Sequence, residues 1–487
     1  SIGTGLFVAS GGTFNSGGPA SVLIGFLLVG VMLFMVVNAL GELACVYPIQ
    51  GSFSIYSTRF IHPSWGFAMG WNYVMSWIVT LPTELTAAVL VIQFWDTTTT
   101  PAAWITLLLG WTIMINMLGV RGYGESEFVY SSIKVIALVG FIILAIVINV
   151  GGAPNHHYYG THTWYDPGAF NNGFKGFCSV FVTAAYSFSG TELVGLAAAE
   201  TENPRKTLPR ATKQVFWRVT FFYIVSLLLV GFLVPYNDPD LLNGTGSEAS
   251  PFVIAIKNAG IKVLPSIFNA VILISVLSVG NSATFATSRT LTALAGYGQA
   301  PRIFSYVDRE GRPLLSLLVV LVFGCLAYID LSSNSTTVFN WLLALGGLSV
   351  IFTWGSICFA HIRFRAAWLA QGHTLEELPF RAAFGVWGSW YGGLFNILIL
   401  IAQFYIAVWP IGTSPNATSF FLAYLAAVLV LALFLVHLVI KRPPLLKLQD
   451  IDLDTGRRDF PTLETLRAER AEVDQMSFFP RMYSRMC

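Results

Sequence analysis

The sequence predicts an all-α polytopic membrane protein of twelve spans, the first of them truncated. Two observations carry that prediction. Of 487 residues, 55% are hydrophobic and only 11% are charged, against about 25% charged in a soluble domain. The apolar residues also come in runs of the roughly 20 that a helix needs to cross hydrocarbon, giving a mean hydropathy of +0.67. A soluble multi-domain protein is therefore excluded. A formal net charge of +2 gives no basic excess for a nucleic-acid partner, and 14% aromatic content excludes disorder outside the C-terminus. Cys45, Cys178, Cys325 and Cys358 lie in apolar runs and Cys487 ends the chain, with no disulfide or zinc spacing.

Taken in order, the chain opens at Ser1 with no signal-peptide pattern. Residues 2–16 are apolar and Gly-rich but too short to cross alone. They read as the second half of a helix one whose first half would precede Ser1. Eleven complete spans follow, near 21–47, 64–95, 102–119, 128–150, 174–199, 214–234, 264–292, 313–330, 337–360, 390–410 and 418–440. Residues 382–440 contain no Asp, Glu, Lys or Arg, and the turn Gly412-Thr-Ser-Pro-Asn416 splits them into two spans. Residues 1–440 thus form a transmembrane domain. Residues 441–487 are a charged tail, in which Leu463, Leu466 and Val473 sit at helical spacing and predict a solvated cytoplasmic helix.

Orientation follows from the asymmetry of Lys and Arg between loops. With 21–47 counted as span two, loops after even-numbered spans hold fourteen of them, clustered around Arg205–Arg218, Arg289–Arg312 and Arg363–Arg381. The other loops hold Lys175, Lys257 and Lys262. The first set, and both termini, are therefore expected in the cytoplasm. Glycosylation sequons at Asn243, Asn334 and Asn416 fall in the loops expected outside.

Charges within the bilayer are rare and usually functional. Here they are Glu42, Glu84, Lys134 and Glu192. Glu192 stands in Ser189-Gly190-Thr191-Glu192, where glycines and hydroxyls interrupt an apolar helix. Glycine disfavours helix, and hydroxyls can satisfy the freed backbone. The stretch predicts a broken helix six rather than a close packing face, because packing needs no buried acid. Gly3-Thr4-Gly5-Leu6 resembles Gly190-Thr191-Glu192-Leu193, one in span one and the other in span six. Interrupted helices at corresponding places in two five-helix halves predict an inverted-repeat transporter with a midplane site.

Such a site suits an amino acid. Backbone N–H groups opening a half-helix hold a carboxylate, and unwound carbonyls hold an ammonium. Phe188 is either an aromatic lid on the ligand or ordinary core. Lys134 either stands in for a coupling cation by cycling its own proton or snorkels to the interface. Glu84 follows Pro82, which kinks its span and frees backbone acceptors, and it pairs with a cation or takes a proton. Glu42 is expected to pair with an Arg. Asn281 and Ser282 line the pathway or bridge helices. No catalytic, phosphate-binding or metal-ligating pattern is present.

At these residues the chain resembles the yeast amino acid transporter family of the amino acid–polyamine–organocation superfamily, closest to fungal general amino acid permeases. The resemblance is carried by Ile2-Gly-Thr-Gly-Leu-Phe, Gly41-Glu-Leu with Pro48 and Gly51-Ser-Phe, Ser189-Gly-Thr-Glu-Leu-Val-Gly and Asn203-Pro-Arg-Lys. Further blocks run to Asp454-Thr-Gly-Arg-Arg. It implies a LeuT-like fold of a 5+5 inverted repeat plus two helices. It also implies proton-coupled amino acid uptake at the plasma membrane, with protons as the coupling ion and no other cofactor.

The resemblance places the substrate carboxylate at Gly3, Thr4 and Gly5 and its ammonium and side chain near Phe188, Ser189, Gly190 and Thr191; Glu192, Asn281 and Ser282 are assigned to the same site from their own positions in spans six and eight. It supports Lys134 and Glu84 as coupling or pathway residues, and Glu42 is assigned to a gate. It further implies palmitoylation at Cys487 and ubiquitin-ligase and endocytic partners. The reading is a broad-specificity L-amino acid permease working by alternating access in the lipid bilayer. Its alternatives are a permease of narrower specificity and an amino acid receptor that does not transport.

Overall fold

In the computed structural model, residues 2–197, 204–243, 250–331, 335–458 and 463–477 are described. A helix lies at each of the eleven expected spans. They are α1 (Gly5–Val46), α2 (Pro63–Ile92), α3 (Pro101–Met117), α4 (Gly119–Asn149), α5 (Gly173–Phe188) with α6 (Leu193–Ala197), α7 (Pro204–Leu233), α8 (Leu264–Gly296), α9 (Leu314–Gly324), α10 (Ser335–Ala370), α11 (Gly385–Val408) and α12 (Ala417–Lys441). Eight helices among the described residues are long and apolar enough to cross a membrane. The apolar parts of α3, α7 and α9 are shorter. This is a polytopic, helical membrane protein.

The half-span at 2–16 and the span at 21–47 meet in a kink inside α1. Gly18 there takes φ +77 and precedes Pro19. Pro19 has no N–H to give, so the bend leaves backbone groups to satisfy, and lipid offers no water for them. The loop before α5 supplies partners. Ala20 N–H donates to the Ala169 carbonyl at 2.9 Å, and Asn171 N–H donates to the Gly17 carbonyl at 3.0 Å. A β-carbon on Gly18 would lie 2.8 Å from the Ala169 oxygen, so the close approach requires glycine.

The centre of the bundle is α2, which packs against α8 and α10, while α1 packs against α5 and α7. At the rim the apolar side chains face outward. Ile136 and Ile143 of α4, Leu398 of α11 and Val439 of α12 are exposed, the surface that hydrocarbon covers. With 33 residues, α8 is about 50 Å long at 1.5 Å per residue, more than the ~30 Å hydrocarbon needs.

Glu42, near the end of α1, is fully buried and meets Arg365 of α10, as its expected pairing with an Arg requires. Arg365 Nε and Nη2 donate to its two oxygens at 2.7 and 2.6 Å. His361 Nε2 lies 3.0 Å from the same carboxylate, and the Ala382 N–H also donates to it.

The tail is not a wholly solvated element. Residues 446–458 cross the Val46 end of α1 and the end of α10, with Ile451 and Leu453 buried. Tyr47 donates to the Leu453 carbonyl at 2.9 Å, Arg59 to Thr455 at 2.8 Å and Arg363 to Leu446 at 2.7 Å. The tail helix forms at Leu463–Gln475, but Leu466 is buried and Arg467 donates to Glu376 at 2.6 Å. Amphipathic spacing found the helix. The docking surface lies on other segments, so no local pattern displays it.

Arg365→Met leaves the buried Glu42 carboxylate without its guanidinium, and breaking such a pair costs about 3–5 kcal/mol. The expected result is a lower melting temperature for the purified protein in detergent. Adding Glu42→Leu recovers most of the loss, because no lone charge then stays buried.

Candidate functional site

Two features meet inside the bundle, the start of α1 and a break in the helix of span six. The first is the opening of α1, which becomes helical at Gly5, where the Gly3 carbonyl accepts from the N–H groups of Leu6 and Phe7 at 3.1 Å. The second separates α5 from α6. Ser189 leaves the helix with ψ 152, and Gly190 takes φ +89.

The freed groups of this break are satisfied from nearby. Thr191 Oγ1 donates to the Phe188 carbonyl at 3.1 Å, and Tyr223 donates to the Ser187 carbonyl at 2.6 Å. The Glu192 carboxylate accepts the Gly190 N–H at 3.1 and 3.2 Å and the Trp354 indole N–H at 3.2 Å. Helix six is therefore broken where Gly, Ser, Thr and Glu cluster in the sequence, and Glu192 closes the break with its own oxygens.

The start of α1 packs directly against α8 and the end of α5. A β-carbon on Gly5 would lie 2.6 Å from Ser187 Cα, and one on Gly3 2.4 Å from Val279 of α8. Between them is a cavity of about 20 Å³, lined by Gly3, Thr4, Gly5, Ser189 and Gly190 together with Trp77, Glu84, Glu127, Tyr186, Ser278 and Ser282. That volume holds a water molecule. Anything larger requires the walls to part.

Glu84 of α2 binds both elements. It accepts from the Thr4 hydroxyl and from Tyr186 at 3.1 Å. Lys134 of α4 is buried and does not snorkel. Its Nζ donates to Ser278 Oγ at 2.6 Å, Ser278 donates to Glu127 Oε2 at 2.6 Å, and Glu127 Oε1 lies 3.8 Å from the ammonium.

Glu127 lies outside the apolar run that marks span five. The signal that finds it is spacing: it stands seven residues before Lys134, two turns away on the same helix face.

Several sequence candidates lie outside the cavity lining. Phe188 is buried in a stack with Tyr223, centroids 4.7 Å apart, beside Phe26, so in this conformation it packs as core. Thr191 and Glu192 serve the break itself. Asn281 bridges helices, accepting from Asn116 of α3 at 2.7 Å, while Ser282 reaches the cavity and meets the Tyr123 hydroxyl at 3.1 Å. Glu42 belongs to the Arg365 cluster. Asn416 is exposed and caps α12 by accepting the Thr418 N–H at 2.8 Å, and Asn243 ends a short helix, Pro239–Asn243. Asn334 and Cys487 lie outside the described residues. Among the described residues no three His, Cys, Asp or Glu side chains gather as metal ligands would.

Chemically the arrangement suits a zwitterion. The opening turn of α1 carries partial positive charge, the closing end of α5 partial negative charge, and both reach one cavity.

The amino acid permease family matches this chain over residues 1–449. The chain is similar to the general amino-acid permease GAP1 of Saccharomyces cerevisiae, 52% identical across 99% of this chain and 82% of that protein. It is similar to the general amino-acid permease GAP2 of Candida albicans, 51% identical across 100% of this chain and 84% of that protein. It is also similar to the cationic amino acid transporter 1 of Schizosaccharomyces pombe, 53% identical across 98% of this chain and 82% of that protein.

Gly190→Ala places a β-carbon at φ +89, a strain of roughly 1–2 kcal/mol. The purified protein should melt at a lower temperature than the wild type. Gly110→Ala, on α3 where an added β-carbon meets nothing, should not lower it.

Proposed function

The chain belongs to the amino acid permease family and is an amino acid transporter; on that premise we propose that it imports a broad range of L-amino acids together with protons, by alternating access across the plasma membrane. The observation that carries the reading is the meeting of the opening turn of α1 with the broken helix α5–α6 at one cavity that Glu84 closes from α2. The substrate carboxylate sits on the opening turn of α1 at Gly3, Thr4 and Gly5. Its ammonium sits at the α5–α6 break around Ser189 and Gly190. Backbone then holds the part common to all amino acids, leaving the side chain to a separate pocket, which supports breadth. The names of the two general permeases support breadth as well. That of the cationic transporter favours a second reading, a permease for one amino acid class.

The finer architecture we assign is a LeuT-like 5+5 inverted repeat plus two helices, with twelve spans and cytoplasmic termini. Its support is the break in span six at Ser189–Gly190 and the likeness of Gly3-Thr4-Gly5-Leu6 to Gly190-Thr191-Glu192-Leu193. Lys134 and Glu84 carry the coupling proton. Protonating Glu84 removes an acceptor from Thr4 and Tyr186 and loosens the contact of α2 with the start of α1 and the end of α5. Losing a proton from Lys134 removes the charge that faces Glu127 across Ser278. Asn243, Asn334 and Asn416 carry glycans, Cys487 a palmitoyl group, and the cytoplasmic face meets ubiquitin-ligase and endocytic machinery.

The test is uptake of radiolabelled amino acids by cells lacking their own permeases, at acid and neutral pH, with and without sodium and with a panel of competitors. The expected outcome is acid-stimulated, sodium-independent uptake inhibited by many amino acids. Lys134→Ala should abolish accumulation against a gradient. Unchanged pH-dependent uptake by that variant would falsify its coupling role, and inhibition by one amino acid class alone would favour the narrower permease.

A further inference from the structure

We propose that Glu127 is the acceptor of the proton released by Lys134, reached through the hydroxyl of Ser278. The inference rests on the coupling role proposed for Lys134. Three groups form a continuous line. Lys134 Nζ donates to Ser278 Oγ, and Ser278 Oγ donates to Glu127 Oε2, each at 2.6 Å. Burial grades along it: the side chain of Lys134 is 4% exposed and that of Glu127 is 26% exposed. The line therefore runs from a sealed ammonium to a partly exposed carboxylate.

Position on the chain holds it in place. Glu127 and Lys134 share one face of α4, two turns apart, and Ser278 of α8 fills the gap between them. Ser131, on the intervening turn, donates to Glu127 Oε1 at 3.2 Å. That bond leaves Oε2 turned to Ser278.

Glu84 of α2 is the other carboxylate at this cavity, and it is a poorer acceptor. It is buried, and its oxygens are taken by Thr4 and Tyr186. From α8 the facing groups at the cavity are the neutral Ser278, Val279 and Ser282.

The step balances. A Lys134 N–H bond breaks as its proton moves to Ser278 Oγ, while the Ser278 O–H bond breaks as that proton moves to Glu127 Oε2. Two O–H bonds form. The products are a neutral amine, a restored hydroxyl and a neutral carboxyl. A charge pair becomes a neutral pair, so no lone charge is created in the low-dielectric interior. The Glu127 carboxyl then gives its proton to water at its exposed edge and is an anion again.

The experiment compares two readouts in permease-deficient cells, with surface protein quantified. One is accumulation driven by a pH gradient; the other is exchange of labelled for unlabelled amino acid without a gradient. Exchange needs binding and alternation but no net proton release. Glu127→Gln should lower the ratio of accumulation to exchange by roughly a hundredfold, the low end of what a positioned proton acceptor contributes. Ser278→Ala should lower the same ratio, and Glu127→Asp should restore part of it.

A wild-type ratio in Glu127→Gln overturns the proposal. So does an equal fall in both readouts, which marks an ion pair that only supports the fold. If the unsubstituted chain exchanges but never responds to the pH gradient, the coupling reading itself fails, and the relay with it.

Discussion

Everything at the centre of this molecule depends on how interrupted backbone is satisfied where there is no water. A helix broken inside a membrane exposes N–H and C=O groups that lipid cannot bond. One carboxylate and a few hydroxyls answer that demand, and a second carboxylate ties the elements together. Glu192 works within one break, accepting the Gly190 N–H and tying it to Trp354 of α10. Glu84 works between elements, joining Thr4 at the start of α1 to Tyr186 at the end of α5. The first is a local brace. The second is a joint among three helices, and any change in its charge reaches all three. That difference in wiring separates a structural acid from one suited to coupling.

Much of this was legible in the sequence because the break has a compositional cause. Gly190 permits a positive φ, while Thr191 and Glu192 supply partners close to the groups that the break frees. The bend at Gly18-Pro19 was legible as a short apolar half-span before a full one. The pairing of Glu42 with an Arg followed from how few charges the membrane region holds. The route taken by Glu192 was not legible. A buried acid beside a break can face the cavity or turn back on its own backbone, and only the path of the chain at Ser189–Gly190 decides. Phe188 is similar, since an aromatic at a helix end is lid or core according to which neighbours stand behind it, here Tyr223 and Phe26. Glu127 was missed because a search by apolar runs stops where the run stops, although an α-helix keeps its face beyond that point.

The far end of α1 shows a second set of ties with a different character. Glu42 holds α1 to α10 through Arg365, and the tail segment crosses the same two helices. Its bonds are mostly side chain to backbone carbonyl, from Tyr47, Arg59 and Arg363, so they read the path of the tail more than its side chains. Gly456 lies against Ile49, where its β-carbon would come within 2.8 Å. Any motion that separates the Val46 end of α1 from α10 must break the ion pair and these bonds together.

The size of the central cavity follows from the same packing. Gly3 and Gly5 let the start of α1 lie against Val279 and Ser187 closer than any side chain would permit. Small residues at such a contact maximise dispersion and shape fit without directional bonds, the means by which helices associate in lipid. A contact of that kind is short-ranged: a gap of 0.5–1 Å already forfeits a quarter to a half of each pair's attraction. Parting the walls to admit an amino acid therefore loses most of the packing energy early in the movement. Polar ties, such as those of Glu84 to Thr4 and Tyr186, fall off less steeply with distance.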